Sequence, residues 1–376
     1  MTTLDKPLRL YGAKISMFTG KLRSYLIKQH IPFIELPATD PHYAANIVPK
    51  IGRRIIPVIE MADGTIVQDT SDIIDYLEAQ CAPKISAYPL DPLTHLLALI
   101  LEVFGDLGLM RPAMHYRWSF PDRTNTFIMH GFGGSAGPDA TQQQRAGIDA
   151  AIAKFSGYLP MLGVTPETIP EVERSYEALL DILDPHFARH PYFLGAQPSM
   201  ADYGMMCSLY AHLGRDPVPA GIMKNRAPNL YRWTERMNAP HDDMCDMPYY
   251  QASETLPETL GPLMSYIGQY FIPQLEAATA TLNKLPQPIS GERASLHPKF
   301  FVLGTATFNH GDTTLTTAVQ PMIFYMAQRV SDFYAGLSQS DQIKARDYLA
   351  SFGLSGLLET SAKYRISRKN HIEVWD

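Results

Sequence analysis

The chain has 376 residues, enough for two or three domains, and 45% of them are hydrophobic, which supports a sizeable core and excludes a disordered protein. Its 38 acidic and 32 basic residues give a formal charge of −6, too mild and of the wrong sign for a nucleic-acid partner. Cys81, Cys207 and Cys245 lie far apart, so a reduced compartment is expected, with neither a disulfide framework nor a metal site. Met1 to Pro7 holds no apolar signal core. The longest apolar run, Leu96 to Met110, carries Glu102 and Asp106 and is too short to span a bilayer, so no membrane partner is expected and the cytoplasm is the expected location.

Taken in order, Leu8 to Gly12 reads as a short strand and Ala13 to Phe18 as a loop. Thr19 or Gly20 should open a helix running to about Gln29, with Leu22, Tyr25 and Leu26 facing the core and Lys21, Arg23 and Lys28 outside. Ile31 to Glu35 begins the next strand. Ile55 to Ile59 is short, apolar and β-branched, as a buried strand requires, and Pro57 should open it through a cis Ile56–Pro57 bond. Asp63-Gly64 is a hairpin turn and Thr65-Ile66-Val67 the returning strand. Asp69, Thr70 or Ser71 then caps a helix with Ile73, Ile74, Tyr76 and Leu77 on its apolar side.

After Cys81 the pattern changes to long helices, from Leu93 to Met110 and on through Met114 to Trp118, broken at Phe120-Pro121-Asp122. Gly131 to Gly137 reads as a flexible connection. Gln142 to Leu162 and Ile169 to Arg189 are amphipathic. Ser199 and Asp202 have capping-box spacing before an apolar helix. Pro240 to Pro248 reads as a linker and Gln251 to Leu285 as one broken helix. Lys299–Thr307 and Thr313–Thr317 flank a hairpin turn, and Ala318–Leu337 and Gln342–Lys363 read as helices. His297 and His310 are expected at the surface; Tyr266, Tyr270, Phe324 and Tyr325 are expected in the core.

The strand opened by proline, the Asp-Gly hairpin and the acid-plus-hydroxyl helix start resemble the glutathione-binding half of glutathione transferases. Ser16, Phe18, Leu22 and Arg23 resemble the signature of the serine-type branch, with Met17 in place of its proline. Phe193-Leu194-Gly195 through Asp202 is similar to the capping motif of the family's helical domain. The family's usual Glu/Gln-Ser pair is Asp69-Thr70 here.

The resemblance implies an α/β thioredoxin-like N-terminal domain over 1–82, an all-α C-terminal domain over 83–240, and a mixed, mostly helical extension over 241–376. It implies glutathione as co-substrate, with its thiolate held by Ser16; Tyr11 and Thr19 are the alternatives. A thiol is a weak nucleophile until ionised, and a hydroxyl with helix N–H groups favours the thiolate. The cysteinyl backbone would pair with Ile56 beside Pro57. Asp69 and Thr70 would take the γ-glutamyl end. Arg54 or Lys50 would meet the glycyl carboxylate. A small apolar electrophile would be the second substrate, with Tyr116, Trp118 and Phe120 as cleft residues, and the enzyme would be a homodimer. Two other readings stay open: a non-catalytic binding or assembly module on the same fold, and a glutathione-dependent thiol oxidoreductase, in which Ser16 stands where cysteine is needed.

Overall fold

The computed structural model describes residues 6–376 apart from 82, 84, 134–140, 241–243, 254, 298–300 and 359–360. The first domain is built from β1 (Leu8–Gly12), α1 (Met17–Lys28), β2 (Phe33–Pro37), α2 (Val48–Ile51), β3 (Val58–Glu60), β4 (Ile66–Gln68) and α3 (Thr70–Cys81). The sheet order is β2-β1-β3-β4, with β1 parallel to β2 and antiparallel to β3, and β3 antiparallel to β4. This is the βαβ-then-ββα arrangement of a thioredoxin-like domain.

Local chemistry moves two boundaries. Ser16 is the N-cap of α1, its side chain accepting the Thr19 N–H at 3.3 Å, so the helix opens two residues earlier than Thr19. β3 opens only at Val58. The Ile55 backbone is taken by Tyr43, whose hydroxyl accepts the Ile55 N–H at 3.0 Å and donates to the Ile55 carbonyl, so that segment cannot join the ladder. The Ile56–Pro57 bond is cis. The turn Tyr43–Ile47 and α2, which follow Asp40 caps on His42 and Tyr43, went unread in the sequence.

Lys21, Arg23 and Lys28, expected outside, are buried. The face of α1 opposite the sheet packs on the helical domain, against α9 (Met200–Leu209). Lys21 is fully buried there, with its ammonium 2.7 Å from Glu102 and 2.6 Å from Asp106. Both carboxylates lie on the apolar stretch formed by α4 (Pro92–Val103), a π turn over Phe104–Gly108 and α5 (Met110–Trp118). That stretch is continuous from Pro92 to Trp118, 27 residues, longer than the sequence suggested, and so long and apolar enough to cross a membrane. Two-thirds of its apolar window is buried inside the protein, as a core helix would be. It crosses α9 where a Cβ on Gly105 would lie 2.5 Å from the Gly204 backbone, and only glycine on both helices allows that approach.

The helical domain continues with α6 (Pro121–Gly133), α7 (Gln142–Ser156), α8 (Ile169–Phe187), α9, α10 (Pro217–Arg226) and α11 (Pro228–Met237). Pro121 sits at the first position of α6, where its missing N–H costs nothing, so the helical pattern resumes at once. Gly131 to Gly133 are helical; the rest of the expected Gly131–Gly137 loop lies outside the described residues. Asp202 accepts the N–H of Ser199 at 3.0 Å, of Phe193 at 3.0 Å and of the Trp233 indole at 3.1 Å. Burial pushes this carboxyl up to about 6 while those donors pull it back. Asp202→Ala leaves three buried donors unpaired, and we expect a loss of ~2–3 kcal/mol with unchanged turnover per folded molecule. A thermal melt alongside active-site titration checks this; wild-type melting with lost activity would make the pair catalytic instead.

The extension is α12 (Leu260–Tyr270), α13 (Ile272–Asn283), a hairpin of β5 (Gly304–His310) and β6 (Thr313–Val319), α14 (Pro321–Ala335), α15 (Gln339–Ala350) and a second hairpin of β7 (Ile366–Lys369) and β8 (Ile372–Trp375). The first hairpin was legible; its residues 299 and 300 lie outside the described set. His310, expected at the surface, is buried because it alternates inward with Phe308 and Ala306 along β5. The extension shares one hydrophobic core with both domains, running from Leu8 to Trp375. Tyr325 donates to Asp72, and Arg329 pairs with Asp75 at 2.6 Å.

Candidate active site

Strand register collects the expected site residues. Tyr11 pairs with Val58, which sets Pro57 beside Gly12, where β1 ends and the loop to Ser16 begins. Val58 also pairs with Gln68, which sets Asp69 on the other side of Pro57. The Ser16 loop, the cis Ile56–Pro57 bond and the Asp69-Thr70 start of α3 therefore share one end of the sheet. Arg117 holds the loop from the helical domain, donating to the Ile15 carbonyl at 2.6 Å while its other edge pairs with buried Asp216 at 2.7 Å.

Ser16 is half-buried. Its oxygen accepts the Thr19 N–H, which leaves the hydroxyl hydrogen able to donate outward. Thr19 is fully buried, its oxygen accepting the Ala13 N–H at 3.4 Å and its methyl against Gly12. Tyr11 packs on Tyr43 and gives its hydroxyl to Glu60 at 3.0 Å. Burial, then Glu60, pushes this phenol up to about 12. Of the three hydroxyls, Ser16 is the one at a helix start with some exposure.

At the other end of the site, Asp69 has φ +80°, an uncommon conformation for a residue with a side chain. One oxygen accepts the Ser71 N–H at 3.1 Å; the other pairs at 2.9 Å with Arg368 of β7. The same guanidinium reaches Asp72 at 2.7 Å and lies 4.0 Å over the Tyr325 ring. Burial disfavours ionised Asp69, but Arg368 and Lys21 outweigh it and hold the carboxyl low. Burial, reinforced by the Asp69 charge, pushes Asp72 up despite Arg368. The Thr70 hydroxyl is buried with no partner among the described residues.

Arg54 is exposed, donating to the Ala38 carbonyl at 2.8 Å, and Lys50 is exposed too, so neither is brought to this site. Its neighbour Arg53 is. It donates to Gln68 at 2.9 Å and to the His371 carbonyl at 2.6 Å, and its buried Nε has no partner among the described residues. Sequence reasoning missed Arg53 because consecutive arginines before a strand look equivalent until the strand's start is fixed. Arg368 was missed with its hairpin. Asn370 and His371 both have positive φ, and an Asn opening such a two-residue turn was the available signal.

A cavity of about 260 Å³ lies between α5 and the extension, lined by Leu107, Met110, Met114, Phe301, Val319 and Ile323 among others. Its Phe301 wall stacks against Arg53, 5.3 Å from ring to guanidinium. Tyr116, Trp118 and Phe120 do not line it. Tyr116 is buried in a cluster with Phe120 and Tyr176, and Trp118 stacks on Phe155; Tyr116 and Trp118 fall on other faces of α5 and Phe120 lies beyond its end. Among the described residues no group of three or more His, Cys, Asp or Glu is placed to hold a metal.

A sheet that ends in a capped helix, a cis proline and a charged helix start, backed by an all-helical domain, defines a protein of the glutathione transferase type. Family models agree on both halves: "Glutathione S-transferase, N-terminal domain" matches residues 10–84 and "Glutathione S-transferase, C-terminal domain" matches 149–240. The chain belongs to the glutathione S-transferase family. Similar solved structures include a glutathione S-transferase from Methylobacterium radiotolerans in complex with glutathione sulfonate. It is 19% identical with TM-score 0.38, over 67% of this chain and 99% of that one. Beta-etherase LigF from Sphingobium sp. strain SYK-6 is 20% identical with TM-score 0.43, over 62% and 96%. No curated protein matches the chain.

Proposed function

We propose that the chain is a glutathione transferase-like enzyme that ionises the glutathione thiol at Ser16 and delivers it to a small apolar electrophile. The observation that carries this is the strand register, which gathers the α1 start, the cis proline and the α3 start at one end of the sheet. The tripeptide's cysteinyl backbone would pair with Ile56. Its γ-glutamyl carboxylate would meet Thr70, whose hydroxyl has no partner among the described residues, and its ammonium would meet Asp69. The electrophile would sit in the 260 Å³ cavity, whose size suits a small apolar molecule. A cytoplasmic homodimer belongs to the same proposal. We expect Asp69→Asn, which keeps the turn, to weaken glutathione binding by ~1.5–3 kcal/mol, since the ammonium loses a charged partner. Calorimetric titration checks it; unchanged affinity removes Asp69 from the site.

One observation favours the second reading, a non-catalytic module. Arg368 already occupies the Asp69 carboxylate with a positive charge, where the ammonium would bind. Retention on immobilised glutathione, with a general electrophile assayed on the eluate, separates the two. Retention with turnover supports the enzyme, retention without it the module, and neither removes glutathione altogether.

A further inference from the structure

Arg111, in the first turn of α5, lines the cavity and is only 4% exposed. A buried arginine is normally paired with a carboxylate, because an isolated charge is costly to remove from water. Among the described residues no carboxylate lies within ion-pair distance of Arg111. Its neighbours are neutral. The Nε donates to the Leu162 carbonyl at 2.9 Å, Nη2 donates to Gln274 at 3.0 Å, and Nη1 lies 3.5 Å from Nδ1 of His310. The ring of Phe308 lies 5.6 Å away.

His310 cannot supply a charge of its own sign or the opposite one. Burial and the Arg111 charge push its ring down to about 3, so it is neutral at physiological pH. Burial lowers Arg111 as well, to about 10, which still leaves it cationic. A guanidinium has five N–H groups. Three contacts engage one each, which leaves one N–H on Nη1 and one on Nη2 without an acceptor among the described residues. One N–H from each Nη can meet the two oxygens of a carboxylate.

Most of the remaining wall is apolar: Met110, Met114 and Met161 supply adaptable thioether surface beside Ala278, Val319 and Ile323, while Tyr158, Gln274, Thr317 and Gln320 are its polar members. A cavity of about 150 Å³ accepts benzene. By that measure the 260 Å³ here is room enough for one aromatic ring and a short chain.

We propose that this cavity binds an apolar monocarboxylate, an aryl or short alkyl acid, with its carboxylate on Arg111 and its hydrocarbon against the methionine walls. That the acid would also carry a separate electrophilic carbon for the thiolate to attack rests on the transferase reading; the binding itself does not. The full chain, without glutathione, is titrated calorimetrically with 3-phenylpropionate and with 3-phenylpropan-1-ol, which share shape and differ in charge. The acid should bind about tenfold or more tighter than the alcohol. Arg111→Gln should abolish that preference while leaving the alcohol unchanged. Ala318→Trp, which fills the cavity from β6, should abolish binding of both. Equal binding of acid and alcohol, binding of neither, or acid binding that survives in Ala318→Trp would overturn the proposal. The wild-type pair and Ala318→Trp decide it even if Arg111→Gln does not fold. Because no glutathione is present, a failure of the glutathione site leaves these results untouched.

Discussion

Lys21→Met should destabilise the protein by ~3–5 kcal/mol, because it strands two buried carboxylates. The ammonium of Lys21 touches Glu102, Asp106 and the Ser71 hydroxyl, and the three charged side chains have no exposed surface. Arg329 of the extension lies 3.7 Å from Glu102, so three segments of the chain meet in this network. The penalty should depend on pH. Burial already pushes Asp106 up to about 7, partly offset by Lys21. A carboxyl raised in the folded state binds its proton more tightly there than in the unfolded chain, so its contribution to stability falls as pH rises from about 4 through 7. Removing Lys21 takes away the offset, so the variant should lose most at pH 8 and least near pH 5. Denaturant midpoints at both pH values check this. A variant as stable as wild type at pH 8 would show that Lys21 is not the counter-ion of this network. Adding Asp106→Asn should recover part of the loss.

Ser16→Ala should leave glutathione affinity nearly unchanged and cut kcat at neutral pH by roughly 10²–10³-fold, or ~2.7–4 kcal/mol. On the proposed reading the tripeptide would be anchored by its backbone and termini, whereas the hydroxyl would act selectively on the ionised sulfur, and only such selective contacts speed a reaction. The structure gives this prediction a second part. The Ser16 oxygen also caps α1 through the Thr19 N–H. Alanine should therefore cost about 1 kcal/mol in stability as well. Ser16→Thr or Ser16→Asn would keep the cap; only a hydroxyl should keep the rate. Activity of the alanine variant should recover partly at higher pH, where solution ionises the thiol unaided. A drop in glutathione affinity with kcat unchanged would mean that Ser16 binds rather than activates.

The first domain was legible because its signals are local. Pro57, Asp63-Gly64 and the Asp69-Thr70 helix start each dictate their own backbone, and the hydrophobic periods of α1 and α3 are clear. The Ser199–Asp202 cap was legible for the same reason. What sequence could not show is which polar side chains are buried by distant elements. Lys21, Arg23 and Lys28 lie on a face that looks solvated until the helical domain covers it. His310 looks like a turn residue until the alternation of β5 turns it inward against Arg111. Arg54 and Arg53 are adjacent, and only the fold shows that Arg53 turns toward Gln68 and Arg54 toward Ala38. The terminal hairpin went unread, because its two strands are only four residues each. With it went Arg368, the residue that bears most directly on Asp69.

The central claim is that this chain ionises bound glutathione at Ser16. Ultraviolet absorbance of the thiolate, followed against pH with glutathione bound, tests it most directly. Wild-type protein should show the thiolate at neutral pH, Tyr11→Phe should give the same curve, and Ser16→Ala should shift it upward. No thiolate at neutral pH in wild type, or a curve moved by Tyr11→Phe and unmoved by Ser16→Ala, would contradict the account.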